Sequence, residues 1–159
     1  MQDISNYEKV RENAINFYKK IGKISCPALN NEYIYFTSEG FNHLIYKNDR
    51  RERDRSVQIM KFTLLPKAKD VVERSATYQE YDECLIEVKK ENKGRISKET
   101  CLAHYWGLVA IMQDFRIKVI IRQCGNGQKH FWSVIPAWSK SHYRDIKIVS
   151  TAKGDLLDD

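Results

Sequence analysis

The side chains of this sequence that could do chemistry are cations, a hydroxyl and aromatic rings in its C-terminal half. Arg122 has a planar guanidinium that can grip two phosphate oxygens, and Lys129 adds a point charge. Ser133 adds a hydroxyl, while Tyr105 and Phe131 carry rings on which nucleic-acid bases can stack. Side chains of these types can position a phosphodiester and neutralise the charge that develops on its oxygens. They favour chemistry on a nucleic acid.

The same groups suit a ribonuclease that works without a metal ion. In such a reaction the nucleophile is the 2′-hydroxyl of the RNA, so the protein supplies a base, an acid and a cationic clamp. Among four histidines, His43 is the most interesting for proton transfer, because it lies off the apolar side of a predicted helix and next to a basic loop. The alternative is an ordinary solvated strand face and a surface histidine.

Metal and cofactor motifs are missing from the sequence. It contains no His-Glu-x-x-His, no glycine-rich phosphate loop and no run of carboxylates at metal-binding spacing. The four cysteines are scattered without a Cys-x-x-Cys pair, which is typical of reduced thiols in a reducing compartment. We therefore expect no metal and no cofactor.

The spacing of two β-prone runs predicts how the cations are arranged. Ile117–Cys124 and Lys129–Pro136 flank Asn126-Gly127, and an Asn-Gly pair between such runs is a strong signal for a β-hairpin. A two-residue turn would pair Arg122 with Phe131, and the alternation of side chains would then give one apolar and one cationic face. The apolar face would hold Ile117, Val119, Ile121, Trp132 and Val134; the cationic face would hold Arg116, Lys118, Arg122, Lys129 and Ser133, with Phe131 and Ile120 among them.

The preceding segment agrees with this arrangement. Cys101–Met112 is another strand candidate, with Gln113-Asp114 as the connection. The resulting register places Tyr105 beside Arg122 on the cationic face and extends the apolar face. The two turns, assigned independently, thus agree on which side chains form the apolar face of the sheet and which form the cationic face.

The length of the second turn leaves one alternative open. A three-residue turn would flip one strand and bring His130 and Trp132 to the open, cationic face. Lys129 and Ser133 would then point inward. With the two-residue turn, His130 instead joins His104 in a polar row at one end of the core face.

Helical patterns occupy the N-terminal half. An amphipathic helix is predicted over Ile4–Ile21, a second over Ser38–Lys47 with hydroxyl caps at its start, and a third from Val57 to about Ser75. Pro66 is expected in a first turn of that third pattern. A short strand-like run precedes the second helix at Tyr33–Phe36.

Two charged segments complete the pattern. The run from Lys47 to Arg55 has no apolar periodicity, so it is predicted to be a solvated loop whose Lys47, Arg50 and Arg51 could contact phosphates. Thr77–Lys90 is the candidate first strand of the sheet, and a polar connection follows it. The order of elements predicts an α+β fold, with N-terminal helices packed on one face of a four-stranded antiparallel meander.

Length and composition set the broad class. The chain has 159 residues, of which 42% are hydrophobic and 30% charged, so a single globular domain is expected over residues 1–152, followed by a mobile acidic tail over 153–159. A net charge of +6 leans toward a polyanionic partner. No apolar run approaches a membrane span and no signal-like stretch begins the chain, so we expect a cytoplasmic protein without a membrane partner.

Four segments resemble the phage-associated barnase–EndoU–colicin–RelE-like nucleases. They are Tyr-Ile-Tyr-Phe-Thr-Ser-Glu-Gly-Phe-Asn-His-Leu, Lys-Phe-Thr-Leu-Leu-Pro, Val-Ile-Ile-Arg-Gln and Lys-His-Phe-Trp-Ser-Val-Ile-Pro. The resemblance implies helices followed by a four-stranded antiparallel sheet, with a metal-independent RNA-cleaving site on the open face. It places the helix histidine at His43, the strand arginine at Arg122 and the late hydroxyl at Ser133. Lys129 and His130 fall in the hairpin of the same motif.

Two functions follow as expectations. The first is a toxin-like or phage-related RNA endonuclease that leaves a 2′,3′-cyclic phosphate, with catalytic His43, Arg122, Lys129, Ser133 and His130. Its substrate would be bound by Tyr105, Lys118, Phe131, Lys47, Arg50 and Arg51, and a cognate inhibitor would be a further partner. The second is a non-catalytic module that binds RNA or an acidic protein through the same face.

Overall fold

The computed structural model describes residues 4–112 and 115–139 of the chain. The expected turn at Gln113-Asp114 and the expected acidic tail lie outside the described residues. The elements, in chain order, are a 3-10 turn at Ile4–Asn6, α1 (Tyr7–Ile21), β1 (Lys23–Cys26), a 3-10 turn at Pro27–Leu29, β2 (Glu32–Tyr35), α2 (Ser38–Ile45), α3 (Arg55–Arg74), β3 (Glu80–Asn92), β4 (Arg95–Met112), β5 (Phe115–Cys124) and β6 (Lys129–Ser139).

The α+β class is confirmed, but the sheet is larger than predicted. It has six strands in the order β1-β2-β6-β5-β4-β3, so the expected meander of β3 to β6 is extended by two short strands at the β6 edge. The sheet is mixed because β2 runs parallel to β6, which it meets at the pair Tyr35 and His130. β1 was missed because four residues carry too little pattern, and pairing with β2 creates it.

The helices pack on one face of this sheet, as expected. Leu65, Ala68 and Val72 of α3 are fully buried in the same cluster as Leu108 and Val119 of the sheet. Burial of a large aliphatic side chain contributes about 1.5–3 kcal/mol, so this layer supplies most of the driving force for folding. One detail of α3 differs from the prediction: Pro66 lies inside the helix rather than in its first turn.

A β-bulge makes both predicted registers correct, each over part of the hairpin. From Arg116 to Ile120 the pairing is the one that a two-residue turn predicted, with Ile120 opposite Ser133. The register then shifts by one residue, so Ile121 pairs with Phe131 and Trp132 is the inserted residue. Between the bulge and the turn, the alternative with the flipped strand is the correct one.

The bulge exchanges two aromatic side chains between the faces. Phe131, expected on the cationic face, is fully buried in the core beneath the helices and stacks on Phe36 with ring centroids 5.0 Å apart. Trp132, expected in that core, packs with Tyr105 and Ile120 on the opposite face. Arg122 pairs with His130 rather than with Phe131. The faces predicted for Phe131 and Trp132, and the partner predicted for Arg122, were therefore wrong.

Helix α2 touches the backbone of β6 through a glycine. A Cβ added to Gly40 would lie 2.2 Å from the carbonyl oxygen of Phe131 and 2.7 Å from the hydroxyl of Tyr18. Only glycine allows this approach, which holds α2 against the strand that carries Trp132.

We expect Gly40→Ala to destabilise the fold by about 2–4 kcal/mol, because alanine would force the helix off the strand. In an ordinary helix interior the same change would stabilise the fold by about 1 kcal/mol. The sign of the change in the free energy of unfolding therefore distinguishes the two cases. Urea unfolding of the two proteins measures it. An unchanged or higher urea midpoint would contradict the close approach.

Candidate functional site

The site forms where α2 and the loop behind it meet the edge of the sheet. Thr37 caps α2 by accepting a hydrogen bond from the backbone N–H of Gly40. The loop after α2 is closed by a β-bridge between Tyr46 and Glu52. Together they enclose an open cleft of about 620 Å³, lined by Glu39, Asn42, His43, Tyr46, Lys47, Asn48, Arg50, Arg122 and Trp132.

Four of the predicted site residues meet in this cleft: His43, Lys47, Arg50 and Arg122. The first three come from α2 and the loop that follows it, whereas Arg122 comes from β5, far along the sequence. The structure therefore brings the basic loop to the strand arginine, which the sequence could only suggest.

Arg122 is the centre of the site. Its Nη2 donates to Glu39 Oε2 at 3.2 Å, and its guanidinium carbon lies 3.8 Å from the centre of the Trp132 ring. The arginine is flanked in register by Tyr105 on β4 and His130 on β6. The guanidinium is thus fixed by a ring and by neighbouring strands, and this preorganises its fork for a planar or tetrahedral anion.

Three buried polar atoms in this row make no hydrogen bond of good geometry with the described residues: the Tyr105 hydroxyl, Arg122 Nε and His130 Nε2. Leaving a buried polar group unsatisfied costs about 1–3 kcal/mol, and such groups in native structures call for an explanation. His130 Nε2 is 4.0 Å from Glu39 Oε2, beyond hydrogen-bonding distance. The three atoms thus cluster around one guanidinium.

His43 is held as a neutral imidazole. Its ring stacks on Trp132 with centroids 4.0 Å apart, and Arg53 donates from Nε to the His43 carbonyl at 3.0 Å and lies with Nη2 3.2 Å from the His43 Nε2. Because a guanidinium only donates, Nε2 must be the acceptor and the proton sits on Nδ1. Burial, aided by the charges of Arg53 and Lys61, lowers the pKa of His43 to about 2. This geometry favours a hydrogen-bond donor at His43 over the predicted role in proton transfer.

His130 is neutral for a related reason. Burial, aided by the charge of Arg122, lowers its pKa to about 4, while Glu39 and a hydrogen bond to the backbone of Gln128 oppose the shift. Burial also raises the pKa of the Tyr105 hydroxyl. An anion placed beside Arg122 would offset its charge and raise the pKa of His130.

The cationic face was predicted to be bare, but the structure shows that its side chains are covered. Tyr105, Lys118, Ile120, Arg122 and Ser133 are all at least nine-tenths buried. A ligand therefore cannot lie flat across this face. It can reach Arg122 from the cleft, where Glu39 has an exposed side chain.

Three predicted cations are held away from the cleft by carboxylates. Lys129 Nζ lies 2.5 Å from Glu32 and above the ring of Trp106, on the helix side of the sheet. Lys118 Nζ lies 3.4 Å from Glu80. The two do not converge with Arg122 as expected.

Arg51 is the third of these cations. Its Nε lies 2.6 Å from Asp49, and the side chain is 74% exposed. Unlike its neighbour Arg50, it is not among the residues that line the cleft.

Ser133 is also placed elsewhere. Its hydroxyl accepts a hydrogen bond from the buried Lys61 Nζ at 2.9 Å, and Lys61 also donates to the Val134 carbonyl at 3.2 Å. The serine is fully buried and is not among the residues lining the cleft. The predicted convergence of Arg122 and Ser133 on one open surface is therefore wrong.

Sequence reasoning missed two residues that shape the site. Glu39 lies among the N-cap and first-turn residues of α2, where an acidic residue is usually explained by the helix dipole alone. Arg53 is in the run predicted to be solvated, yet it is buried against His43. Neither position carries a local signal, because each acquires its role from a contact across the fold.

Among residues 4–112 and 115–139, no group of three or more His, Cys, Asp and Glu side chains is placed to hold a metal ion. None of the helices described has the length and apolar character needed to cross a membrane.

Comparison of the chain with protein-family models, with curated proteins and with solved structures finds no match. The site must therefore be interpreted from its own geometry.

Proposed function

We propose that this chain is a metal-independent RNA endonuclease with a fold of the barnase–RelE type, and that it cleaves by attack of the RNA 2′-hydroxyl. The observation that carries the proposal is Arg122: a guanidinium that lines a basic cleft, fixed against the ring of Trp132, paired with the Glu39 carboxylate and next to His130 in register. The cytoplasm, with an inhibitor protein as a further partner, is the setting that such an activity implies.

Arg122 would act as the phosphate clamp. Its Nη2 holds Glu39 in the cleft, and the guanidinium can bind a non-bridging oxygen there when that exposed carboxylate moves aside. The phosphodiester gains negative charge as the 2′-oxygen attacks, so a fixed cation at this position stabilises the transition state more than the ground state.

Glu39 and His130 are the groups best placed to move protons. Glu39 has an exposed side chain that can swing aside as the phosphate enters, and its carboxylate can accept the proton of the 2′-hydroxyl. His130 Nε2, 4.0 Å from that carboxylate, can give a proton to the departing 5′-oxygen. The phosphate itself would raise the pKa of His130 and so help to load it with a proton. This differs from the sequence expectation, which gave proton transfer to His43.

His43 and Trp132 then serve to hold the substrate. The Nδ1–H of His43 is a hydrogen-bond donor, and the indole it stacks on also fixes Arg122. Tyr46, which is exposed at the mouth of the cleft, offers a second ring for a base.

The experiment is cleavage of total RNA in excess EDTA between pH 5 and 8, with chemical mapping of the ends. We expect 2′,3′-cyclic phosphate ends and faster cleavage toward pH 5, since the protonated fraction of His130 rises as the pH falls. Glu39→Gln should reduce cleavage about 10²–10⁴-fold and yet tighten RNA binding, because it removes the anion that occupies Arg122.

A matched control for this experiment is Glu32→Gln, which removes a carboxylate that pairs with Lys129 and does not line the cleft. It should leave cleavage unchanged. RNA that stays intact at every pH, with the protein folded, would rule out the nuclease.

A binding module without cleavage is the second candidate. The observation in its favour is that the pKa values of His43 and His130 lie near 2 and 4, so both rings lack a catalytic proton at neutral pH in the free protein. In that case Glu39→Gln would tighten RNA binding in the same way, with no cleavage by either protein.

A further inference from the structure

A second cavity adjoins the cleft and lies against the β3–β4 hairpin. It measures about 440 Å³ and is lined by Glu39, Arg50, Ile86, Glu87, Val88, Lys89, Lys98 and Arg122. Glu39, Arg50 and Arg122 line both cavities. The two therefore form one continuous groove that runs from α2 to the hairpin.

Two lysines face each other across the hairpin at this groove. Lys89 and Lys98 are directly opposite in the antiparallel register, and both are exposed. Like charges at directly opposed positions destabilise a β-ladder. The adjacent Lys90 is different, because its Nζ lies 2.9 Å from Glu99. Among the described residues, neither Lys89 nor Lys98 has a carboxylate within ion-pairing distance.

Arg50 closes the other side of the groove in a constrained conformation. Its φ of +66° is in the left-handed region, which is uncommon for a residue other than glycine. Its N–H donates to the Lys47 carbonyl at 2.9 Å, within the loop that the Tyr46–Glu52 bridge closes. Such conformations persist where the surrounding structure enforces them, and they cluster at ligand-binding sites.

The charges of the whole groove point to a polyanion. Its lining has five basic residues, Lys47, Arg50, Lys89, Lys98 and Arg122, against two acidic ones, Glu39 and Glu87. The lining also includes the partly exposed apolar side chains of Ile86 and Val88. Cations together with apolar side chains suit a strand whose bases are unstacked, rather than a duplex whose bases are enclosed.

We propose that Arg50, Lys89 and Lys98 form a second phosphate subsite, so that the substrate is single-stranded RNA that extends beyond the nucleotides flanking the cleaved bond. This inference rests on the proposed RNA function and adds to it the length and form of the substrate. The subsite binds a phosphate that does not react, so its contribution appears in affinity and not in the chemical step.

The test measures binding and cleavage as a function of RNA length. A dinucleotide and an octanucleotide are compared, with a 2′-deoxy substitution at every sugar for the binding series, so that affinity is read without cleavage. The variants are Lys89→Gln/Lys98→Gln and, as the matched control on the same hairpin, Lys90→Gln. The double variant should weaken octanucleotide binding by about tenfold at 0.1 M salt and lower the salt slope by about 0.7, as expected for one lost phosphate contact on a single strand.

The outcomes separate the two proposals. Loss for the octanucleotide alone, with the dinucleotide and Lys90→Gln unaffected, supports the subsite. The subsite is overturned if the double variant and Lys90→Gln weaken octanucleotide binding equally, or if neither variant weakens it. If the wild type binds in this length-dependent way but cleaves nothing, the subsite stands and the nuclease fails. If the wild type binds no oligonucleotide, both fail.

Discussion

Replacing Arg122 by methionine should abolish RNA cleavage, with a loss of about 10³-fold or more. Methionine preserves much of the volume packed against Trp132, so the fold should persist, but it removes the guanidinium that we propose neutralises charge on the phosphate. Arg122→Lys should recover little of the activity, since an ammonium keeps the charge but lacks the fork that reaches Glu39 and the phosphate together.

The matched control for this experiment is Arg51→Met. Arg51 is an arginine one residue from the cleft lining, exposed and paired with Asp49. It should leave the rate unchanged to within about twofold, which is the range of ordinary surface substitutions. Cleavage rates and urea midpoints are measured for all three variants. Activity retained by a folded Arg122→Met protein would contradict the proposed clamp.

Acid should destabilise this protein well before its carboxylates are protonated. His43 and His130 have pKa values of about 2 and about 4 in the folded chain, against about 6.5 when unfolded. Below pH 6.5 the unfolded chain therefore binds more protons than the folded chain does. As the pH decreases, the free energy of unfolding falls by about 1.4 kcal/mol per pH unit for each ring. The loss continues until the folded pKa is reached, near pH 4 for His130 and near pH 2 for His43.

Between pH 7 and pH 5 the two rings together should lower the free energy of unfolding by about 4 kcal/mol, a large part of the 5–15 kcal/mol typical of a domain. Urea unfolding at both pH values measures this. His43→Gln should remove about half of the pH dependence, since the amide oxygen can still accept from Arg53, and a further His130→Gln should remove most of the rest. A pH dependence that persists in the double variant would contradict the burial of neutral histidines.

The two effects of acid oppose each other. Cleavage should accelerate as the pH falls because His130 gains a proton, while the folded population declines because the same ring and His43 are more basic in the unfolded chain. An optimum on the acid side of neutrality follows. Phosphate or RNA in the cleft should protect against the loss of stability, since binding to the native state alone stabilises it.

The sequence determined the layer structure of this protein. Periods of about 3.6 residues in the N-terminal half and about 2 in the C-terminal half defined the helices and the meander, and the apolar alternation of β4 and β5 fixed their pairing without error. The pair Tyr105 and Arg122 was predicted in this way, because a register slip would have exposed Leu108 and Val119. His43, Lys47 and Arg50 were recognised from local patterns alone.

Only the tertiary structure decided what lies around Arg122. A single inserted residue at Trp132 reversed the face of the strand segment next to the turn, and no local signal marks a bulge. Glu39, Arg53 and the hairpin lysines acquire their roles from contacts across the fold, where complementary charge and close packing select partners that sequence spacing does not encode. Periodicity specifies which face a side chain occupies, whereas the identity of its neighbour depends on how separate elements meet. For that reason the elements could be predicted from the chain, and the site could not.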